Sequence, residues 1–480
     1  MAATTPFWKR APALAAALLA GCAVGPNFKR PGADAPPSFR DQAGQSDRSL
    51  ADLAWWDVYQ DARLKELITA ALANGFDPRI AAARVEQSRA IAAEVHGQLF
   101  PGVGYAANAT RGKNALLGSP YTEGAGTTAN GFDGYLGAAW ELDLWGRVRR
   151  LDEAARSQYL ASEDARRGVL ISLVSDVATA YYELLELDDE LAIAQDATKS
   201  FGESLKLFNQ QLEGGAVSRL DTASAEAAMA ASAARIPDIE MQISIKENQI
   251  SILVGRNPGP VARGARLTDL AAPPDVPAGL PSALLERRPD VRGAEEAARA
   301  ANAGIGATIG GFLPRIGLSA LLGAVSPQLN GITSRGAGLW SIGAGATGPL
   351  FQGGSLHGQY DKARAAWEEA KLRYQQTALE AFGDVANALV TRQRLDEVRE
   401  QQERAVGAYG EAVKISTQRY AAGRASYYEV LQAQQLLFPS EVSLAQTRRD
   451  QFVAIVQLYK ALGGGWNLKD AEWAGPDARR

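Results

Sequence analysis

Two hydrophobic periods alternate along the chain, and the whole alternation occurs twice. No proline interrupts 147–213, where Leu170, Leu173, Val174, Val177, Tyr181, Leu184 and Leu185 recur at helical spacing. At ~1.5 Å per residue that predicts one helix on the order of 100 Å long. A second of the same size is predicted over 357–422, with shorter returning helices over 217–254 and 426–462. Between these stretches the period falls to two. Trp140, Leu142 and Leu144 alternate with Glu141 and Asp143, and Trp340, Ile342, Ala344 and Ala346 alternate with small or polar residues. Val103, Tyr105 and Ala107, and Ile316, Leu318 and Ala320, repeat the pattern. Strands are predicted at 99–110, 132–145, 312–325 and 338–351. On pattern alone they fit an ordinary antiparallel sheet with one wet face as well as a membrane barrel with one lipid face.

Self-comparison makes the duplication explicit. Asp77-Pro78-Arg79-Ile80-Ala81 runs to Phe100-Pro101 as Asp290-Val291-Arg292-Gly293-Ala294 runs to Leu313-Pro314, and Gly215-Ala216-Val217-Ser218 is matched by Gly423-Arg424-Ala425-Ser426. The chain divides into two repeats of about 210 residues. The expected organisation is a leader (1–21), an N-terminal segment (22–76), repeat 1 (77–255) and a proline-rich linker (256–289). Repeat 2 (290–466) and a C-terminal tail (467–480) follow. Each repeat opens with a helix, the first at about 78–97. Glycine breaks at Gly214-Gly215 and Gly423 reverse the long helices, because glycine accepts positive φ. Ser218 and Ser426 stand where they can cap the returning helices. Pro439, inside the second of these, removes one hydrogen bond and predicts a kink within one turn.

Composition removes several classes. Lys+Arg number 50 against Asp+Glu 54, a net charge of −4 that gives no general attraction to nucleic acid. One Cys and two His exclude disulfide scaffolds and Cys/His zinc sites. His96 and His357 stand in different repeats with no Ser/Asp pattern beside them, so no catalytic constellation is expected. The lone cysteine has a different use. Lys9-Arg10, the apolar run 11–20, Gly21 and Cys22 form a secretory signal ending in a motif that resembles the lipobox of bacterial lipoproteins. The run is about half the ~20 residues a spanning helix needs. Lipidation at Cys22 would anchor the exported chain, and Ala23 in place of Asp is consistent with sorting to the outer membrane. Export tilts the strand reading toward a barrel. Four strands cannot close one, since the smallest membrane barrels have about eight, so an oligomer is required.

Several longer motifs then stand out: Cys22-Ala23-Val24-Gly25-Pro26-Asn27-Phe28, Trp55-Trp56 and Trp140-Glu141-Leu142-Asp143-Leu144-Trp145-Gly146-Arg147. Two more are Leu280-Pro281-Ser282-Ala283-Leu284-Leu285-Glu286-Arg287-Arg288-Pro289-Asp290-Val291 and Tyr459-Lys460-Ala461-Leu462-Gly463-Gly464-Gly465-Trp466. In order and across nearly the whole chain, these resemble the TolC-like outer-membrane factor family, nodulation-type lipoprotein branch. The resemblance implies an α+β membrane protein. Three copies would form a 12-stranded outer-membrane barrel continued by a 12-helix periplasmic α-barrel. It implies a passive exit duct without cofactor or metal beyond lipid on Cys22, located in the Gram-negative outer membrane. It also implies a periplasmic adaptor (membrane fusion) protein and an inner-membrane pump, of the resistance-nodulation-division type, as partners.

The same resemblance assigns adaptor contact to Gly215, Ala216, Val217, Ser218, Gly423, Arg424, Ala425 and Ser426. It assigns a periplasmic gate to Tyr428, Glu429 and Gln432, with Arg419 and Tyr420 as tethers. Gln432 departs from the family pattern, which often has an aspartate there. Glu429 is either the substitute for that acidic ring or a solvated helix charge. Two readings compete with small-molecule efflux: a duct for secreted protein, and an envelope lipoprotein without a pore.

Overall fold

A computed structural model of the chain describes residues 23–40, 49–113, 128–215, 217–270, 279–469, 472–473 and 475. Cys22, the leader, Ala216 and residues 271–278 of the proline-rich stretch lie outside the described residues. Helix α1 (Ala62–Asn74) precedes the first repeat, which contains α2 (Phe76–Gly97), β1 (Gly102–Lys113), β2 (Thr128–Leu142), α3 (Arg147–Glu213) and α4 (Arg219–Leu253). The second repeat contains α5 (Pro289–Gly310), β3 (Arg315–Ser326), β4 (Gly338–Thr347), α6 (Ser355–Ala421) and α7 (Tyr427–Ala461). Corresponding helices match residue for residue: 22 in α2 and α5, 67 in α3 and α6, 35 in α4 and α7. The duplication read in the sequence is therefore structural.

The helix ends repeat as well. Gly215, Gly255, Gly423 and Gly463 follow the four hairpin helices, all with φ between 69° and 78°. At Gly423 the N–H donates to the Tyr420 carbonyl, and the Arg424 N–H reaches back to Arg419. This six-to-one closure requires a left-handed residue and so selects glycine.

Two compact units gather these elements, each drawing on both repeats. The first (Met1–Pro31, Arg84–Glu163, Gly293–Gln375) contains the sheet, antiparallel throughout in the order β1-β2-β3-β4. Its register sets Tyr105 opposite Leu136, Leu136 opposite Leu322, and Leu322 opposite Trp340. Because side chains alternate, Val103, Tyr105, Leu136, Ala138, Trp140, Leu318, Leu322, Trp340 and Ile342 share one face. That face is apolar and uncovered, with Trp340 76% and Ile342 80% exposed. The opposite face carries mainly Gly, Ala, Ser and Thr with Glu141, Arg315 and the Asn108–Asp133 hydrogen bond, and includes Tyr135, Leu321, Val325 and Leu339.

All four strands form, with shifted ends. The segments 99–101, 143–145, 312–314 and 348–351 are not strand, and β1 and β2 each extend further at their shared hairpin end. Leu99 and Phe100 instead close a turn on the carbonyls of His96 and Gly97. Asp143, counted above as a polar strand position, caps α3 by accepting the N–H groups of Val148 and Arg149 at 3.0 and 2.9 Å. Beyond Thr347 come Gly348 and Pro349, and proline cannot donate to a ladder.

The same unit binds the segment that follows Cys22. Val24 N–H donates to the Trp145 carbonyl. The buried Arg150 guanidinium reaches Val24 O, Gly25 O and Asn27 Oδ1 at 3.2, 3.4 and 2.8 Å. Gly25 lies at φ 96°, where an added Cβ would fall 2.5 Å from Gly306 Cα. These contacts explain the glycine and the asparagine of the Val24-Gly25-Pro26-Asn27 motif.

The second unit (Gly32–Ala83, Asp164–Arg292, Gln376–Arg480) holds the main apolar core. The predicted stripe Leu170, Leu173, Val174, Val177, Tyr181, Leu184 and Leu185 is buried throughout. One 18-residue window of α3 is long and apolar enough to cross a membrane, but 67% of it is buried within the protein, as a core helix would be. Arg288 of the Arg-Arg-Pro-Asp motif donates twice to Asp290, and also to Asp384 and the Ala461 carbonyl.

Candidate functional site

Both hairpin reversals lie in the second unit, where a small aromatic cluster joins them. Phe208 on α3, Tyr420 on α6 and Tyr427 on α7 meet with ring centroids 4.0 to 6.0 Å apart. Leu205, Val217 and Met229 pack around them. Tyr427, one residue before the predicted gate positions, is buried and completes the cluster. Burial raises its hydroxyl pKa, so it stays neutral. Nothing in the 3.6-residue pattern distinguished Tyr427 from its exposed neighbour Tyr428; only the packing of two hairpins does.

The predicted gate residues separate into two groups. Arg419 and Glu429 form an ion pair at 3.4 Å, both side chains about half exposed. The Tyr420 hydroxyl donates to Gln211 Oε1 at 2.5 Å, tying the second hairpin to the first. Gln211 gave no signal in the sequence. Tyr428 and Gln432 are exposed. An exposed ion pair contributes only about 0–1 kcal/mol, so Arg419–Glu429 can break and reform cheaply.

At the tips, Gly215, Ser218, Gly423, Arg424 and Ser426 are exposed, and Val217 and Ala425 are partly buried. An added Cβ at Gly215 or Gly423 would meet nothing within 4 Å, so only the backbone angle selects glycine. The two capping serines differ. Ser218 forms a reciprocal box with Asp221. Ser426 occupies the N-cap position with extended backbone but makes no side-chain cap bond, a correction to the expectation above. Glu429, at the position where a reciprocal partner would stand, pairs with Arg419 instead. Ser218→Ala should therefore cost about 1 kcal/mol and Ser426→Ala only a few tenths. Amide hydrogen exchange in the first turns of α4 and α7 checks this: protection should fall in α4 and hold in α7.

The α7 helix continues unbroken through Pro439, and α4 likewise through Pro237. Below Pro439, the Ser440 and Ser443 hydroxyls donate to the carbonyls of Leu436 and Pro439.

A two-faced antiparallel sheet, uncovered on its apolar side, together with paired long helical hairpins from a duplicated chain, defines a channel-forming outer-membrane protein. Comparison with known proteins gives the particular kind. Residues 67–256 and 280–464 match the family model for outer membrane efflux proteins. The solvent efflux pump outer membrane protein SrpC of Pseudomonas putida is 35% identical, covering 96% of this chain and 99% of its own. The probable outer membrane lipoprotein SilC of Salmonella typhimurium is 31% identical over 94% and 97%. The open-state MtrE channel of Neisseria gonorrhoeae superposes with a TM-score of 0.83 at 30% identity, covering 93% of this chain and 99% of its own. The chain belongs to the outer membrane efflux protein family. It is an exit duct of the outer membrane, and the TolC-like resemblance of its motifs is borne out.

Proposed function

We propose that three copies of this chain close one 12-stranded barrel and act as the passive outlet of a tripartite pump. The observation that carries this reading is the sheet: four strands, one apolar face, and unpaired edges at β1 and β4 among the described residues. Four strands are about half of the smallest closed membrane barrel, so the edges need partners, and a second copy offers the complementary edge. Nothing in the duct turns over substrate. Its chemistry is a water-lined passage, and work comes from an inner-membrane pump of the resistance-nodulation-division type through a periplasmic adaptor.

Lipid on Cys22 completes the anchoring. The similarity to SilC, a probable outer membrane lipoprotein, and the tight fixing of residues 24–27 support it, since a strapped segment holds the acyl chains at one place. The adaptor engages the tips, Gly215 to Ser218 including Ala216, and Gly423 to Ser426. The closed gate is held by Arg419–Glu429 and Tyr420–Gln211, with Tyr428 and Gln432 presented to the passage. Because Glu429 is paired with Arg419, its charge is compensated at rest and is released for cations when the pair opens.

Planar-bilayer recording of the purified full chain tests the gate. Combined Arg419→Ser and Tyr420→Phe should raise mean conductance severalfold and lengthen open dwell times. Conductance indistinguishable from wild type would remove these residues from the gate, and absence of any channel in wild type would remove the duct itself.

A further inference from the structure

Where α3, α4 and α7 pack beside Pro439, they leave a cavity of about 210 Å³. Its apolar walls are Ala194, Ala197 and Phe201 of α3, Ala228 of α4, and Phe438 and Pro439 of α7. The alanines present only methyl groups, which leaves the gap between the helices unfilled. Phe201 and Phe438 meet edge-to-face at 5.4 Å, so an aromatic wall is already in place. An apolar cavity of about 150 Å³ is enough to hold benzene, and this one takes a single ring with a short arm. Of its lining residues, Ala231 and Arg235 of α4 and Gln435 and Pro439 of α7 are exposed. The mouth therefore opens between α4 and α7, with Arg235 at its edge.

Two charged side chains line the cavity among the described residues, Glu190 and Arg235, and they are not equivalent. Glu190 is 6% exposed and is engaged inside the protein, where its carboxylate accepts from Gln446 at 2.8 Å. Glu186, one turn away on α3, hydrogen-bonds to it as well. Arg235 is exposed and has no carboxylate partner among the described residues. The charge that the cavity offers to an incoming molecule is thus positive. A guanidinium suits one kind of group in particular, because its planar fork matches the two oxygens of a carboxylate.

We propose that this cavity binds a small aromatic monoanion, one per chain, with its ring against Phe201 and Phe438 and its carboxylate on the Arg235 guanidinium at the mouth. The ring matches the wall, and the carboxylate supplies the partner that Arg235 lacks. A neutral hydrocarbon of the same size meets only the first condition, and a cation meets a like charge. The site is separate from the tip and gate residues and does not rest on the roles proposed for them.

The test titrates the full chain in detergent with three probes of similar size: 4-fluorophenylacetate, 2-(4-fluorophenyl)ethylammonium and 4-fluoroethylbenzene. Fluorine NMR reads their binding against the same detergent without protein. The anion should saturate at one per chain and bind about fivefold or more tightly than either other probe. Arg235→Gln, at an exposed position, should remove that preference and leave binding of the hydrocarbon unchanged. Ala231→Phe, also exposed, places a ring across the mouth and should abolish saturable binding of the anion. Cation or hydrocarbon bound as tightly as the anion would overturn the proposal. So would a preference that survives Arg235→Gln, anion binding that survives Ala231→Phe, or no saturable binding of the anion to the wild-type chain.

Discussion

Gly255→Val is expected to abolish accumulation of folded protein. Gly255 closes α4 at φ 78°, and its N–H donates to the Ile252 carbonyl. A Cβ there would stand 2.4 Å from Asn74 O and 2.8 Å from Asn74 C, both backbone atoms at the end of α1. Rotamer changes relieve overlap with side chains, but overlap with backbone requires the two helix ends to separate. The left-handed angle alone costs a non-glycine residue roughly 1–2 kcal/mol. Separating α1 from the core beside Leu64, Ile68 and Ile250 adds about 1–3 kcal/mol, so the sum is roughly 2–5 kcal/mol, reaching the range of the most damaging substitutions. Gly215→Ala is the control. It has the same sign of φ (72°) but open space around the added methyl, and should cost only about 1 kcal/mol. Membrane-fraction yield and thermal unfolding should show near-complete loss for the first and a small shift for the second. Comparable losses would mean that backbone angle, not the contact with Asn74, governs position 255.

The second large effect is a dependence of stability on pH centred on Glu186. This carboxyl is buried on α3 one turn from Glu190, facing Arg449 and Asp450 of α7, while Gln446 of α7 donates to Glu190. Burial first, and then the hydrogen bond and charge of Glu190, push Glu186 up to about 8 from the ordinary value of 4.5, although Arg449 at 3.4 Å pulls the other way. Glu186 therefore keeps its proton at neutral pH. With the native value above the unfolded one, the native chain holds a proton that the unfolded chain has released between about pH 4.5 and 8. Stability should accordingly be greatest below that window and fall as pH rises through it. The loss is on the order of 2 kcal/mol once solvent screening is allowed for. Glu186→Gln keeps the shape and hydrogen-bonding capacity without the charge, so its unfolding midpoint should stay level over the same window and exceed wild type at pH 8. A wild-type midpoint that rises with pH there would show that Arg449 outweighs burial.

The two carboxylates also show where sequence reading ended. Glu186 and Glu190 look like ordinary helix charges until α7 is laid against α3. The same holds where the two hairpins meet: the family resemblance pointed to Tyr420, but its acceptor Gln211, on the other hairpin, carried no local signal. Asp143 was misplaced because it continued an alternating pattern, and capping of α3 outweighed that pattern. Ser426 held the right residue type and position for a cap, yet its potential partner Glu429 is drawn away by Arg419.

Periodicity and internal repetition are properties of the chain alone, and they determined the duplication, the lengths of the four hairpin helices, the existence of the strands and the glycine reversals. Each depends on contacts within a few residues, where 3.6- or 2-residue spacing and backbone angle decide the outcome. Only the tertiary structure decided that the sheet runs β1-β2-β3-β4 across the two repeats, that Tyr427 rather than Tyr428 is buried, and that Pro439 borders a cavity. Those outcomes depend on which distant helices and strands meet. Register, burial and the pairing of charges are energies of contact between segments that the linear sequence leaves far apart.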